Sequence, residues 1–129
     1  MPTWPELREH ARSKYQLSKD EEDWFCLLWS YDSGRSQQVV VHHYQCFDQD
    51  WIEFRSYVCK AEEMTPRVAL RKNAELSLGA LALDDDGDYV LIHRAALASL
   101  DPDEFALPLQ VLATTADELE QQHAARDDF

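Results

Sequence analysis

An acidic run, two adjacent histidines and three scattered cysteines are the side chains in this sequence whose types could do chemistry. Asp84-Asp85-Asp86-Gly87-Asp88 has the composition of a calcium loop. An EF-hand loop beginning at Asp84 would need Gly at its sixth position and Glu at its twelfth, where the chain has Tyr89 and Ala95. Asp-Gly between two apolar runs is instead a strong hairpin signal. His42 and His43 are neighbours on an expected strand, so they point to opposite faces and cannot chelate one ion together. Cys26, Cys46 and Cys59 fall one to each of three expected strands, without CxxC or HxxxH spacing, and cysteine is commonly a small buried hydrophobe. Cys59 with His43 is a formal nucleophile–base pair, but any chain with 3 Cys and 5 His offers such pairs. No G-x-S-x-G, H-E-x-x-H or phosphate-cradling glycine loop is present. The expectation is a protein without catalytic, metal-ligating or cofactor-binding residues.

Composition narrows the alternatives. The 129 residues are 45% hydrophobic with only 3 Gly and 5 Pro, which supports one ordered domain with its own core. The net charge is −13, and the segment from residue 84 onward holds 12 acids against Arg94 and Arg126. Such a chain repels phosphate backbones, so nucleic acid is not an expected partner. The acidic excess is read as a solvated surface, with attraction to a basic partner segment as the sharper alternative. The first residues carry charge where a signal peptide needs an apolar run, and apolar stretches such as Phe25 to Trp29 are too short to span a membrane. Reduced cysteines and a cytoplasmic location are expected, with no membrane contact.

These residues must be positioned by a recognisable series of elements. Thr3-Trp4-Pro5-Glu6 reads as a capping box, followed by an apolar stripe of Trp4, Leu7, Ala11 and Tyr15. Lys19 to Asp23 reads as a charged break. Trp24–Tyr31, Gln37–Phe47 and Trp51–Lys60 have strand composition, with turns at 32–35 and 48–50. Thr65-Pro66 opens a second helix, the Asp-Gly turn joins two short strands, and Asp101 with Glu104 opens a last helix in which Pro108 should produce a kink. The expected fold is α+β: an antiparallel five-stranded sheet with three helices in the order α-β-β-β-α-β-β-α. The domain spans residues 1–122, and 123–129 form a polar tail.

The strands do not alternate cleanly between apolar and polar. Three helices cover one face of such a sheet more easily than two, so the second face is expected to meet a protein partner or a second copy of the chain, unless one helix wraps round to seal it. Candidate contact residues are Trp4 and Leu7 on the first helix and Trp29, Tyr44, Trp51 and Tyr57 on the sheet. Glu53 and Arg55 share a strand face, and Arg67, Arg71 and Lys72 cluster on the second helix; solvated charge is the default reading of both.

The block from Asn73 through Gly79 to Asp88, the Leu100-Asp101-Pro102 entry to the last helix and the element order together resemble the YbjN-like bacterial proteins. These share the fold of class I type III secretion chaperones of the Tir-chaperone type, and the resemblance runs from about Trp4 to Gln122. It implies a non-enzymatic, cytoplasmic, homodimeric protein. Chaperones of this kind present apolar patches to an extended effector segment, whereas YbjN-like proteins are linked to regulation and stress responses. The resemblance supplies no catalytic residue. A motif-poor enzyme is the third reading, to be recognised by a deep polar cleft holding Cys or His.

Overall fold

The computed structural model describes residues 2–124. The chain runs α1 (Trp4–Lys14), β1 (Leu17–Asp20), β2 (Trp24–Ser30), β3 (Ser36–Cys46), β4 (Gln49–Cys59), α2 (Pro66–Asn73), β5 (Ala80–Leu83), β6 (Tyr89–Ala96) and α3 (Pro102–His123). The strands form one antiparallel sheet in the order β1-β2-β3-β4-β6-β5. The fold is therefore α+β with three helices, as expected, but the sheet has six strands rather than five.

The extra strand is β1, which begins at Leu17 and takes in Lys19 and Asp20 of the supposed charged break. Its charges are compatible with a strand because it is an edge, where charged side chains reach solvent and discourage further pairing. Asp20 is also held by α1: Arg8 Nε donates to it at 2.8 Å and Arg12 Nε to its other oxygen. Hydrogen bonds from Arg12 and then Arg8 hold the Asp20 carboxyl below its usual range. That contribution is present above the ordinary carboxylate range and is lost as pH falls through the lowered value.

Helix starts follow the sequence only in part. Thr3 Oγ1 accepts from Glu6 N–H and Thr65 Oγ1 accepts from Val68 N–H, both at 3.3 Å. Asp101, expected to cap α3 with its side chain, makes no such bond; its backbone carbonyl takes the N–H groups of Glu104 and Phe105. The helix continues through Pro108 as one 22-residue element, and it extends through His123 into the supposed tail. The rest of that tail, residues 125–129, lies outside the described residues.

All three helices contribute to one core. Trp4, Leu7 and Ala11 of α1, Ala69 of α2 and Phe105, Leu109, Leu112 and Ala116 of α3 join Phe25, Leu27, Val39, Val41, Ile52, Phe54 and Leu91 of the sheet. Register fixes which strand residues share that face: Phe25 opposes Val41, Val41 opposes Phe54, and Phe54 opposes His93. An irregularity between Tyr57 and Cys59 brings two successive residues, Val58 and Cys59, into the core. The Asn73–Asp88 block has a physical reason for its composition. The Asn73 amide brackets β5, accepting from Leu81 N–H at 2.7 Å and donating to Leu81 O at 3.3 Å. Gly79 has φ +82°, and a Cβ there would stand 2.9 Å from the carbonyl oxygen of Ile92.

The turn between β2 and β3 is tied to α3 by a nearly buried ion cluster. Arg35 Nε lies 3.0 Å from Asp117 Oδ1 and Arg35 Nη2 3.1 Å from Glu120 Oε1, with the Glu120 side chain only 1% exposed. Removing the cation takes the guanidinium from two nearly buried carboxylates, although Asp117 keeps the Gln121 amide at 2.8 Å. Arg35→Met is expected to lower unfolding free energy by about 3 kcal/mol in urea titration, and adding Asp117→Leu and Glu120→Leu should recover most of the loss. An unchanged midpoint for the single variant would show that the cluster contributes nothing.

Candidate interaction surface

The face opposite the core is built from alternate residues of the central strands. Tyr44 opposes Trp51 and Trp51 opposes Ala96; His42 opposes Glu53 and Glu53 opposes Arg94; Val40 opposes Arg55 and Arg55 opposes Ile92. Trp24 opposes His42, and Tyr57 opposes Val90. Trp24, Val40, Tyr44, Trp51, Tyr57 and Ile92 are only half-buried. Among the described residues the helices all pack on the other side.

Two depressions mark this face. One, of about 290 Å³, is lined by Val40, Arg55, Tyr57, Asp84 and Val90. Burial, with the charge of Asp88 behind it, pushes the Tyr57 hydroxyl up to about 12, so it stays a neutral hydrogen-bonding group. The larger, of about 540 Å³, lies where β3 turns into β4 and is lined by His42, Tyr44, Phe47, Trp51, Glu53 and Arg94. Trp51 is oriented there by its own indole N–H, which donates to Cys46 O at 2.9 Å.

The turn itself differs from the expected one at 48–50. β3 ends at Cys46, β4 starts at Gln49, and Phe47 and Asp48 form a two-residue loop with φ of 54° and 58°. Hairpins of this length favour positive φ at both central residues, a geometry suited to Asn-Gly. Phe47 meets it at a steric cost and leaves its ring 87% exposed. A strained, exposed aromatic beside an aromatic depression is a signal that the sequence alone did not give, because Phe47 reads as the end of a strand.

The six sequence-derived contact candidates separate into three groups. Tyr44, Trp51 and Tyr57 lie on the open face. Trp29 does not: it opposes Gln37 on the helix side and packs against Tyr15 at 6.2 Å between ring centres. Trp4 and Leu7 are buried in the core; Trp4 stacks on Phe25 at 5.5 Å and its indole donates to Glu22 O at 2.7 Å. Their apolar stripe is the inner side of α1, so neither presents a surface in this conformation.

The residues weighed for chemistry are accounted for by structure. Asp84 Oδ1 accepts from Asp86 N–H at 3.0 Å and from Asp88 N–H at 2.9 Å, closing the acidic turn on itself, and Gly87 has φ +83°. His42 stacks on Tyr44 on the open face, whereas His43 stacks on Trp4 on the inner side and lies 2.8 Å from Asp50 Oδ1. That bond holds the Asp50 carboxyl below its usual range. Cys59 is far from His43, which opposes Ile52; the remaining seven residues of β4 span ~20 Å. Burial pushes the Cys59 thiol up to about 11, the wrong direction for a nucleophile. Among the described residues no group of three or more His, Cys, Asp or Glu is placed to hold a metal ion. Nor is any described helix long and apolar enough to cross a membrane.

Comparison of folds gives a consistent answer. One chain of the HopA1–SchA chaperone–effector complex superposes with a TM-score of 0.62 at 12% identity, covering 89% of this chain and 90% of that one. A chain of the heterodimeric ExoU–SpcU complex from the type III secretion system of Pseudomonas aeruginosa gives 0.60 at 15% identity, covering 90% and 95%. A chain of the ExsC–ExsE complex gives 0.62 at 16% identity, covering 98% and 100%. This is a secretion-chaperone-like fold. No protein-family model matches the chain, and no curated protein matches it in sequence.

If Phe47 and Asp48 are strained for the sake of what they present, relieving them should stabilise the protein. Phe47→Asn with Asp48→Gly is expected to raise unfolding free energy by about 1–2 kcal/mol in urea titration. A neutral or destabilising result would mean that the turn carries no strain to release.

Proposed function

We propose that this chain is a non-enzymatic protein-binding module, chaperone-like or adaptor-like, that works in the cytoplasm and offers the open sheet face to an extended segment of another protein. The observation that carries this reading is the half-buried aromatic and apolar set of Tyr44, Trp51, Tyr57, Val40 and Ile92 on a face no described helix covers. It is supported by similar folds in the HopA1–SchA, ExoU–SpcU and ExsC–ExsE complexes. A rigid sheet whose backbone is already paired contributes apolar area without reordering itself, which favours capture of a flexible partner.

A permanently unfolded, carboxymethylated probe protein tests the reading. Wild-type protein should bind it in fluorescence anisotropy, and the double variant Tyr44→Ala, Trp51→Ala should weaken binding at least about tenfold while keeping the same circular dichroism spectrum. Equal binding by the variant would remove the open face from the mechanism.

Homodimerisation is part of the proposal and has its own observation. α2 and β5 pack together and carry Val68, Leu70 and Leu83 exposed, with Leu70 70% accessible. Exposed aliphatics on a short helix and an edge strand that pack together are suited to a self-complementary contact. Light scattering should give twice 15.0 kDa for wild type and 15.0 kDa for Leu70→Glu. A monomeric wild type would remove the dimer. The finer likeness to YbjN-like regulators rests on the Asn73–Asp88 block and the Leu100-Asp101-Pro102 entry; on that reading the same face would meet a folded partner and act on expression indirectly.

A further inference from the structure

The smaller depression of the open face sets Arg55 beside Asp84, whereas around Glu53 that face has a local charge opposite in sign to the chain. Glu53 and Arg94 are cross-strand partners there, and Arg55 lies two residues along β4 from Glu53. Arg55 satisfies the carboxylate: its Nη2 and Nε reach Glu53 Oε1 at 2.9 and 3.2 Å. Arg94 Nη2 stands 3.9 Å from the same oxygen, beyond hydrogen-bond range, and its side chain is 53% exposed. One carboxylate between two guanidiniums leaves a positive excess in a protein of net charge −13. Arg94 also lines the larger depression, beside Tyr44, Phe47 and Trp51.

Resting on the reading of this face as protein-binding, we infer that the depression takes an extended partner segment in which a large apolar residue is followed or preceded, two positions away, by an acidic one. The apolar side chain sits among Tyr44, Phe47 and Trp51, and the carboxylate meets Arg94. Spacing supports the match. The row holding Tyr44, Trp51 and Ala96 lies two residues from the row holding His42, Glu53 and Arg94. That separation of roughly 7 Å equals the spacing of residues i and i+2 on one side of an extended segment.

Electrostatics selects among occupants. A partner covering Arg94 desolvates a loosely paired guanidinium, which is unfavourable unless the partner brings an anion. A second copy docking face to face by a two-fold would bring the same arginine-rich patch against itself. A nucleic acid would bring its phosphates to a chain whose overall charge repels them.

The test is an array of nine-residue peptides with a central leucine and, two positions on, aspartate, asparagine or lysine, the remaining residues being threonine and serine. Anisotropy titrations with the full chain should rank aspartate over lysine by about tenfold, and the gap should shrink in about 1 M salt. Arg94→Glu should reverse the ranking and Arg94→Gln should flatten it, with unchanged thermal melts reporting intact folding. Equal binding of all three peptides, lost in Tyr44→Ala, Trp51→Ala, would overturn the acidic specificity and leave the protein-binding reading standing. Binding to no peptide, with the same double variant still capturing the unfolded probe, would overturn both. A doubled mass that becomes monomeric in Trp51→Ala, with no peptide bound, would assign the face to a second copy instead. Tighter binding of a single-stranded oligonucleotide than of any peptide would likewise overturn the inference.

Discussion

The packing of Phe105 governs the arrangement of everything else. Its ring, fully buried, meets Phe54 at 5.4 Å, Tyr15 at 6.2 Å and Phe25 at 6.4 Å between centres. Those partners come from the centre of the sheet and the end of α1, so one side chain of α3 ties two layers together. Burial of such a ring contributes about 2–3 kcal/mol, with a further ~1 kcal/mol for each well-placed aromatic neighbour. With the helices drawn to this side, the opposite side of β3, β4 and β6 retains its aromatic residues uncovered. The exposed surface is thus a consequence of a one-sided core, not a defect in it.

Charge is organised on the same plan. The acidic excess sits in the 84–88 turn and along α3, and individual arginines are stationed where they hold elements in place. Arg8 and Arg12 fasten β1 to α1, and Arg35 fastens a hairpin to α3. Arg55 and Arg94 are different, because they stand on the uncovered side with only Glu53 between them. A basic spot on an acidic protein also narrows the range of molecules that can approach productively.

Much of the fold was legible because local signals agreed with the tertiary structure. Thr3 and Thr65 cap helices, the Asp-Gly turn closes a hairpin, and the side of each residue in β2 follows from strict alternation. Failures other than Phe47, whose turn is local, share a physical cause: the deciding partner lies on another element. The charges of β1 look like a break until Arg8 and Arg12 are placed above Asp20. Trp4 and Leu7 form an apolar stripe, but a stripe does not say whether a sheet or a visitor covers it. Trp29 and Trp51 are equally aromatic, and only the register separates their sides. Phe47 reads as strand because nothing in composition marks an aromatic residue forced into positive φ. Of the proposed contact surface, Tyr44, Trp51 and Tyr57 were visible beforehand; Phe47 and Arg94 were not.

The bond between Arg35 and Glu120 joins positions 85 residues apart, and Phe105 lies in the first turn of the same helix. A ribosome delivers α3 only after all six strands. Until then β2, β3 and β4 can pair, but their inner side has no α3 to close it, and the growing chain exposes apolar residues on both sides of the sheet at once. Early release or truncation before α3 would therefore yield a sticky sheet rather than a weakened domain. Helix α3 acts as the latch that closes the inner side of the sheet once the strands have paired.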